Sequence, residues 1–153
     1  KNCALTFSDQ SDDRRLLEEA INAMSECDIL IGHNINAFDL NWLMTRLAYH
    51  GMKLPDMRWL TYDTYQAARR MAIKADRKSM AFLCDFFRVE YTKTAVLPVS
   101  WSMIDSRNED EFQTAMQDIT FHCNTDVLAN QQLFYCLWPR DKTMTGLQVY
   151  RRC

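Results

Sequence analysis

Two short segments of this chain carry residue types that can do chemistry. The first, residues 32–40, contains Asn34 and Asp39 directly after an apolar run at 29–31. Open α/β sheets bind their ligands at the carboxyl ends of strands, so an amide and a carboxylate placed there are candidates for a site. Both residues also have structural alternatives. Asp39 can complement the dipole of a following helix, and Asn34 can be an ordinary turn residue.

The second segment, residues 121–127, contains His122 and Asp126, four positions apart. On a helix these two side chains project from the same face. A carboxylate and an imidazole on one face can hold a hard metal ion and a water to be deprotonated. The alternative is a His–Asp pair that stabilises the helix surface by a small amount.

Hydrophobic periodicity predicts the elements that position these segments. We expect strands at 4–7, at 29–31 (central, covered on both faces) and at 59–62. We expect helices at 14–26, from about 40 to a C-cap at Gly51, from the exit at Asp63 onward, at 79–87, and at 109–137, the last continuous or broken once. Ser11 is the expected N-cap of the first helix, with Asp12 and Asp13 in its first turn, and residues 91–108 are expected to be irregular.

The alternation of strands and helices indicates an α/β fold with at least partly parallel strand pairing. No repeat or linker divides the sequence, so residues 1–153 are expected to form a single domain. Three strands are few for a sheet of average size. Further strands are therefore expected either within 92–99 or upstream of Lys1.

Composition limits the classes of function. The chain is 48% hydrophobic and 25% charged, which is typical of a globular domain and not of a disordered one. The formal net charge of −2 lacks the strong positive excess of many nucleic-acid binders, although a local basic surface or carboxylate-held metal ions can still bind nucleic acid. No apolar run is long enough for a membrane span, so we expect no membrane partner.

Six cysteines are scattered without a Cys-x-x-Cys pair: Cys3, Cys27, Cys84, Cys123, Cys136 and Cys153. This spacing argues against zinc and against a disulfide framework. We expect reduced thiols and an intracellular location, in the cytoplasm or associated with the nucleoid or nucleus.

In combination, the two segments resemble the DEDD superfamily of 3′–5′ exonucleases, which are ribonuclease-H-like. The second motif of the family-B-polymerase type and its stand-alone phage and bacterial relatives is similar to Gly32-His33-Asn34 followed by Phe38-Asp39. The third motif, Tyr-Cys-x-x-Asp-Val, is similar to residues 122–127. Asp63-Thr64 resembles the Asp-Thr that follows the second motif in this group.

The resemblance implies a mixed sheet flanked by helices and a two-metal hydrolysis of phosphodiester bonds. Asp39 and Asp126 would be two of four acids that hold Mg²⁺ or Mn²⁺. Asn34 would brace the loop or touch the substrate, Phe38 would contact the substrate, and Asp63 would be a helix cap. The implied substrates are 3′ ends of single-stranded DNA or RNA, with a polymerase or replication protein as a further partner.

The sequence departs from the family pattern in two ways. The first motif, Asp-x-Glu on a strand, is not found: Asp9 and Asp12 lie in a predicted turn, and Glu109–Glu111 open a helix. We expect the hairpin that carries this motif to precede Lys1. The chain alone would then be inactive or very slow.

The second departure is His122, where this branch usually has Tyr. An imidazole titrates at about pH 6.5 and a phenol at about pH 10, so His122 can act as a general base where Tyr can only orient a water. The alternative is that His122 orients a water or pairs with Asp126.

Weaker signals come from basic and aromatic residues. Lys93 and Trp101 fall in the irregular stretch that approaches substrate in such nucleases, and we assign Lys93 to the substrate-binding set. Arg70, Lys74, Arg77 and Lys78 form a basic stripe that can follow a phosphate backbone or simply be a solvated helix face.

The sequence thus predicts a metal-dependent 3′–5′ exonuclease. The alternative is a catalytically degenerate exonuclease fold that binds nucleic acid or protein.

Overall fold

The computed structural model describes residues 12–53, 59–71, 78–91, 95–141 and 147–149. Within these ranges the chain is mixed α/β and mostly helical. The helices are α1 (Arg14–Ser25), α2 (Asp39–Tyr49), α3 (Thr64–Arg70), α4 (Met80–Phe87), α5 (Pro98–Met103) and α6 (Glu109–Leu137), followed by a 3-10 turn at Trp138–Arg140. The strands are β1 (Ile29–Gly32), β2 (Leu60–Asp63) and β3 (Leu147–Val149). The predicted strand at 4–7, the cap at Ser11, and Lys74, Arg77 and Lys93 lie outside the described residues.

The described strands form one sheet in the order β1-β2-β3. β1 pairs in parallel with β2, with Ile29 opposite Leu60 and Gly32 opposite Asp63. This confirms the expected parallel pairing across the β1–α2–β2 unit. β3 pairs antiparallel with β2 and was not predicted, because three residues are too few to show a strand periodicity.

The prediction that residues 29–31 are covered on both faces is wrong. Ile29 and Ile31 are 37% and 40% exposed, and β1 is an edge strand of the described sheet. The central strand is β2, whose Thr61, Tyr62 and Asp63 are fully or almost fully buried. A continuous apolar run indicates a strand but does not say which side of it is covered.

The core lies where β2, α3 and α4 pack against α6. Its buried members are Tyr62, Ala67, Ala68, Met80, Leu83, Cys84, Ala129, Leu133 and Leu137. The ring of Tyr62 meets those of Phe134 and Trp138 edge-on, at centroid distances of 5.0 and 5.3 Å. α6 is therefore the element against which the rest of this core is assembled.

Local signals explain several helix boundaries. Gly51 follows α2 with a φ of 62°, a left-handed conformation that Gly adopts without steric cost. Ser79 caps α4 by accepting a hydrogen bond from the backbone N–H of Phe82. Asn108 caps α6, whose first turn contains three acidic residues. α6 runs without a break from Glu109 to Leu137, as the absence of Gly and Pro there favours.

The prediction of an irregular stretch at 91–108 is wrong for residues 98–103, which form α5. Pro98 occupies the first turn of this helix, where a missing N–H costs no hydrogen bond. The Asp118 carboxylate on α6 accepts hydrogen bonds from the Leu97 N–H and the Ser100 hydroxyl, and so anchors α5 to α6. This anchor joins residues about twenty positions apart, so no local sequence pattern predicts it.

Asp12 and Asp13 do not lie in the first turn of α1, contrary to expectation. Asp13 is the N-cap residue but makes no side-chain cap bond. Its carboxylate instead accepts two hydrogen bonds of 2.8 Å from Arg46 of α2, and it also contacts His50. Asp13 thus ties α1 to α2.

Arg70 does not belong to a solvated basic stripe. Its guanidinium lies 3.7 Å from the carboxylate of Asp141, whose side chain is 3% exposed. The Tyr62 hydroxyl donates to the same carboxylate at 3.5 Å. Arg70 therefore balances a buried charge and is not available to follow a phosphate backbone.

No helix among the described residues has both the length and the hydrophobicity that crossing a membrane requires.

Candidate active site

A cavity of about 650 Å³ opens at the carboxyl end of β1. Its walls come from the β1–α2 loop, the start of α2, the start of α4 and the middle of α6. The lining residues are Ile31, Gly32, His33, Asn34, Ile35, Phe38, Asp39, Ser79, Met80, Asp126, Val127 and Asn130. The cavity thus lies where a ligand is expected in an open α/β sheet.

The β1–α2 loop forms a compact turn that directs Asp39 to the cavity. A Cβ at position 32 would lie 2.5 Å from the Cβ of Ile35, so only Gly fits there. Asn34 has a φ of 65°, which Asn tolerates better than most residues. The Asn34 carbonyl accepts hydrogen bonds from the N–H groups of Ala37 and Phe38. α2 then begins at Asp39, which confirms the predicted position of that residue at a helix start.

Asp63 joins this loop to the neighbouring strand. Its Oδ1 accepts hydrogen bonds from the backbone N–H groups of Tyr65 and Gln66, which confirms the predicted cap of α3. The same oxygen also accepts from the Asn34 N–H at 2.9 Å. The residue is 1% exposed, and its Oδ2 makes no hydrogen bond within the described part of the chain. Asp63 therefore positions the loop that carries Asn34 and Asp39.

Asp39 lies at the mouth of the cavity, exposed as a residue but with part of its carboxyl hydration removed by the walls. This desolvation raises the pKa of the Asp39 carboxyl above its usual value, and the negative charge of Asp63 raises it further. A hydrogen bond from the backbone acts in the opposite direction. Negative charge thus accumulates on this side of the cavity.

α6 supplies the opposite wall. His122 Nε2 lies 3.4 Å from Asp126 Oδ2, which confirms the prediction that these side chains share one helix face. Both are mostly buried, with 14% and 23% of the side chain exposed. Asp126 lines the cavity. His122 is not among the described lining residues but contacts Asp126.

Thr64 holds the walls of the cavity together. Its buried hydroxyl lies 2.8 Å from Asn130 Oδ1 of α6, 3.0 Å from His33 Nδ1 and 3.2 Å from the Gly32 carbonyl. One side chain thereby connects the end of β1, the start of α3 and the middle of α6. Thr64 therefore joins the loop that leads to Asp39 to the helix that carries Asp126.

The structure brings four of the six predicted site residues to one cavity: Asn34, Phe38, Asp39 and Asp126. His122 lies beside Asp126, and Lys93 is outside the described residues. Trp101 lies on α5, which contributes nothing to the described lining. Sequence reasoning missed Asn130, although its position four residues after Asp126 places it on the same helix face. It also missed Ser79 and Met80, which only tertiary packing brings to this wall.

Within the described residues, one cluster brings three possible metal ligands within 4.8 Å of one another: Asp12, Asp13 and His50. It lies at the junction of α1 and α2, and both oxygens of Asp13 already bind Arg46. The guanidinium occupies the place a cation would take. We therefore interpret this cluster as a structural tie between the two helices.

Comparisons with models of protein families, with curated proteins and with solved structures give no match to this chain. The functional assignment therefore depends on the geometry of the cavity and on the two sequence motifs.

Proposed function

We propose that this chain is a domain of a metal-dependent 3′–5′ exonuclease with a ribonuclease-H-like fold, which hydrolyses phosphodiester bonds of DNA or RNA. One observation carries the proposal. Asp39 and Asp126, 87 positions apart in the chain, line the same cavity together with Asn34 and Phe38. These are the residues on which the resemblance to the second and third motifs depends.

The donor set of the cavity fits a hard divalent cation. The described lining contains two carboxylates and no Lys or Arg, and Asp63 adds a third negative charge close to Asp39. Carboxylate and amide oxygens are the ligands that Mg²⁺ and Mn²⁺ prefer. Asp39 and Asp126 would hold the ion, with Asn34 and Asn130 at the walls.

When bound, such an ion supplies Lewis acidity that lowers the pKa of a water and stabilises a leaving oxygen. The residues of the chain would have the following roles. His122, whose Nε2 lies 3.4 Å from Asp126 Oδ2, would accept the proton of a water that reaches this pair. Phe38 would pack against the terminal base, and the buried Ile35 would cover part of the reacting group. Asp63 fixes the loop that carries Asn34, and Thr64 joins the end of β1 to Asn130 of α6.

A second function is favoured by a specific observation. The described lining contributes two carboxylates where the resemblance implies four acids, and no Asp-x-Glu motif occurs in these 153 residues. Half of the expected ligand charge supports an ion poorly. The second candidate is therefore a catalytically degenerate domain that binds single-stranded nucleic acid or a protein at the same cavity.

A single set of measurements tests both candidates. Purified protein is incubated with Mn²⁺ and a 5′-labelled single strand, and both binding and shortening from the 3′ end are recorded. For the exonuclease we expect slow stepwise shortening that Asp39→Asn and Asp126→Asn abolish, while Asp28→Asn, an exposed acid away from the cavity, has no effect. Binding without shortening selects the degenerate domain. Absence of both overturns the exonuclease and the nucleic-acid-binding domain together.

A further inference from the structure

Three exposed aromatic side chains form a line along α2 that starts at the cavity. Phe38, Trp42 and Tyr49 are 59%, 57% and 74% exposed. Spacings of four and seven residues place them within about 40° of one another around a helix, over a length of about 16 Å. We call these three residues the aromatic stripe. Phe38 belongs both to the stripe and to the cavity lining.

The stripe is not the packing face of α2. Leu40 and Leu47 occupy the buried side of the helix, at 2% and 1% exposure. A helix that already buries one apolar face has no structural need for three large rings on the other. Aligned exposed rings of this kind are typical of a binding surface.

Neighbouring side chains fix the far end of the stripe. The guanidinium of Arg46 lies 4.6 Å from the ring centroid of Tyr49, and the two hydrogen bonds that it donates to the Asp13 carboxylate hold it in place. The His50 ring meets Tyr49 edge-on at 5.0 Å. Tyr49 is therefore oriented in advance, although most of its surface is exposed. A ring that is already ordered loses less entropy when a partner stacks on it.

The charges near the stripe suit an anionic strand. Asp39, in the cavity, is the only acidic residue of α2. Beyond Tyr49, the guanidinium of Arg14 contacts the His50 carbonyl at 3.2 Å, and within the described residues it contacts no carboxylate. Arg14 thus presents a cation at the end of the stripe distant from the cavity, beside Asp12, while the carboxylate of Asp13 is engaged by Arg46.

We propose that the aromatic stripe binds the bases of a single-stranded nucleic acid whose 3′ end enters the cavity, with Arg14 contacting a phosphate upstream. This inference rests on the proposed function and extends it by giving the path of the strand. Rings spaced along a surface and combined with a cation are how proteins bind single strands without reading their sequence. The stripe therefore binds DNA and RNA with little sequence preference.

The test measures the affinity of fluorescein-labelled oligothymidylate and oligouridylate by anisotropy, with Ca²⁺ in place of Mn²⁺ to limit cleavage. We expect Trp42→Ala and Tyr49→Ala each to weaken binding by about tenfold. Tyr135→Ala removes a ring of similar exposure, 63%, from α6 and should leave the affinity unchanged. Arg14→Gln should reduce the slope of log affinity against log salt by about 0.7, the value of one phosphate contact on a single strand.

The outcomes separate the stripe from the cavity. If the unmodified protein and Trp42→Ala bind the strand equally well, the role proposed for the stripe is wrong while the proposed function stands. If the unmodified protein binds no single strand, both fail. If Trp42→Ala instead converts a dimer to a monomer in sedimentation velocity without changing oligonucleotide affinity, the stripe is a contact between copies of this chain and the inference is wrong.

Discussion

At the scale of single residues, the surroundings decide what a carboxylate does. Asp63 is the last residue of β2 and Asp39 is the first residue of α2, so both lie where a strand leads into a helix. Asp63 is almost fully buried and accepts three backbone hydrogen bonds with one oxygen. Asp39 makes no such cap and faces the cavity. Asp63 therefore positions a loop, whereas Asp39 is the residue that we propose holds an ion.

His122 gives a prediction at the same scale. If its imidazole accepts a proton from water, His122→Tyr should slow the Mn²⁺-dependent shortening from the 3′ end by about a hundredfold, because a general base typically contributes at least that much to the rate. The measurement is the initial rate of 3′ shortening at one pH. His50→Gln, which changes an imidazole at the α1–α2 junction, serves as the control and should keep the rate. An unchanged rate in His122→Tyr would show that the imidazole only pairs with Asp126.

At the scale of elements, polar side chains join neighbouring helices. Asp13 connects the start of α1 to Arg46 of α2 and to His50, the residue after α2, and Asp118 connects α5 to α6. The hydrogen bonds from Arg46 hold the pKa of the Asp13 carboxyl well below its usual value, partial burial opposes them, and the His50 contact adds to the lowering. The ionised form of Asp13 therefore stabilises the folded state.

Asp13 predicts how stability depends on pH. Because its pKa is lowered on folding, its contribution is fully present above the unfolded value of 3.8 and is lost as the pH falls below it. We expect Asp13→Asn to lower the melting temperature at pH 7, and the difference from the unmodified protein to shrink below about pH 4. Thermal unfolding followed by circular dichroism measures both. Asp28→Asn, at an exposed position, is the control; an equal loss at pH 7 and pH 3 would contradict the prediction.

At the scale of the whole molecule, α6 carries both the core and one wall of the cavity. Ala129, Leu133 and Leu137 are fully buried against β2, α3 and α4, and Asp126 and Asn130 line the cavity from the same helix. A change in the packing of α6 therefore moves the cavity wall as well.

Leu133→Ala tests this dependence on packing. Removing a fully buried leucine side chain should lower the free energy of unfolding by about 3 kcal/mol, because apolar contacts are lost and a cavity remains. Leu97→Ala, at a residue 57% exposed, is the matched control and should change it by less than about 0.5 kcal/mol. Urea unfolding measures both variants. Similar values for the two would show that the core does not depend on α6 as described.

The sequence by itself determined the structural features that depend on residues close to one another in the chain. The bounds of α6, the ends of α2 and α4, the cap at Asp63 and the shared face of His122 and Asp126 all follow from periodicity, capping residues and helix geometry. These signals act over one or two helical turns, so the local sequence contains them in full.

Only the tertiary structure decided what depends on distant residues. The exposure of β1, the pairing of β3, the docking of α5 through Asp118 and the role of Asp13 each depend on a partner far away in the chain. The same holds for the meeting of Asp39 and Asp126 at one cavity, which the motif spacing suggested but could not place. Contacts of this kind form when buried faces pack against one another, and no local pattern of residues records which faces will meet.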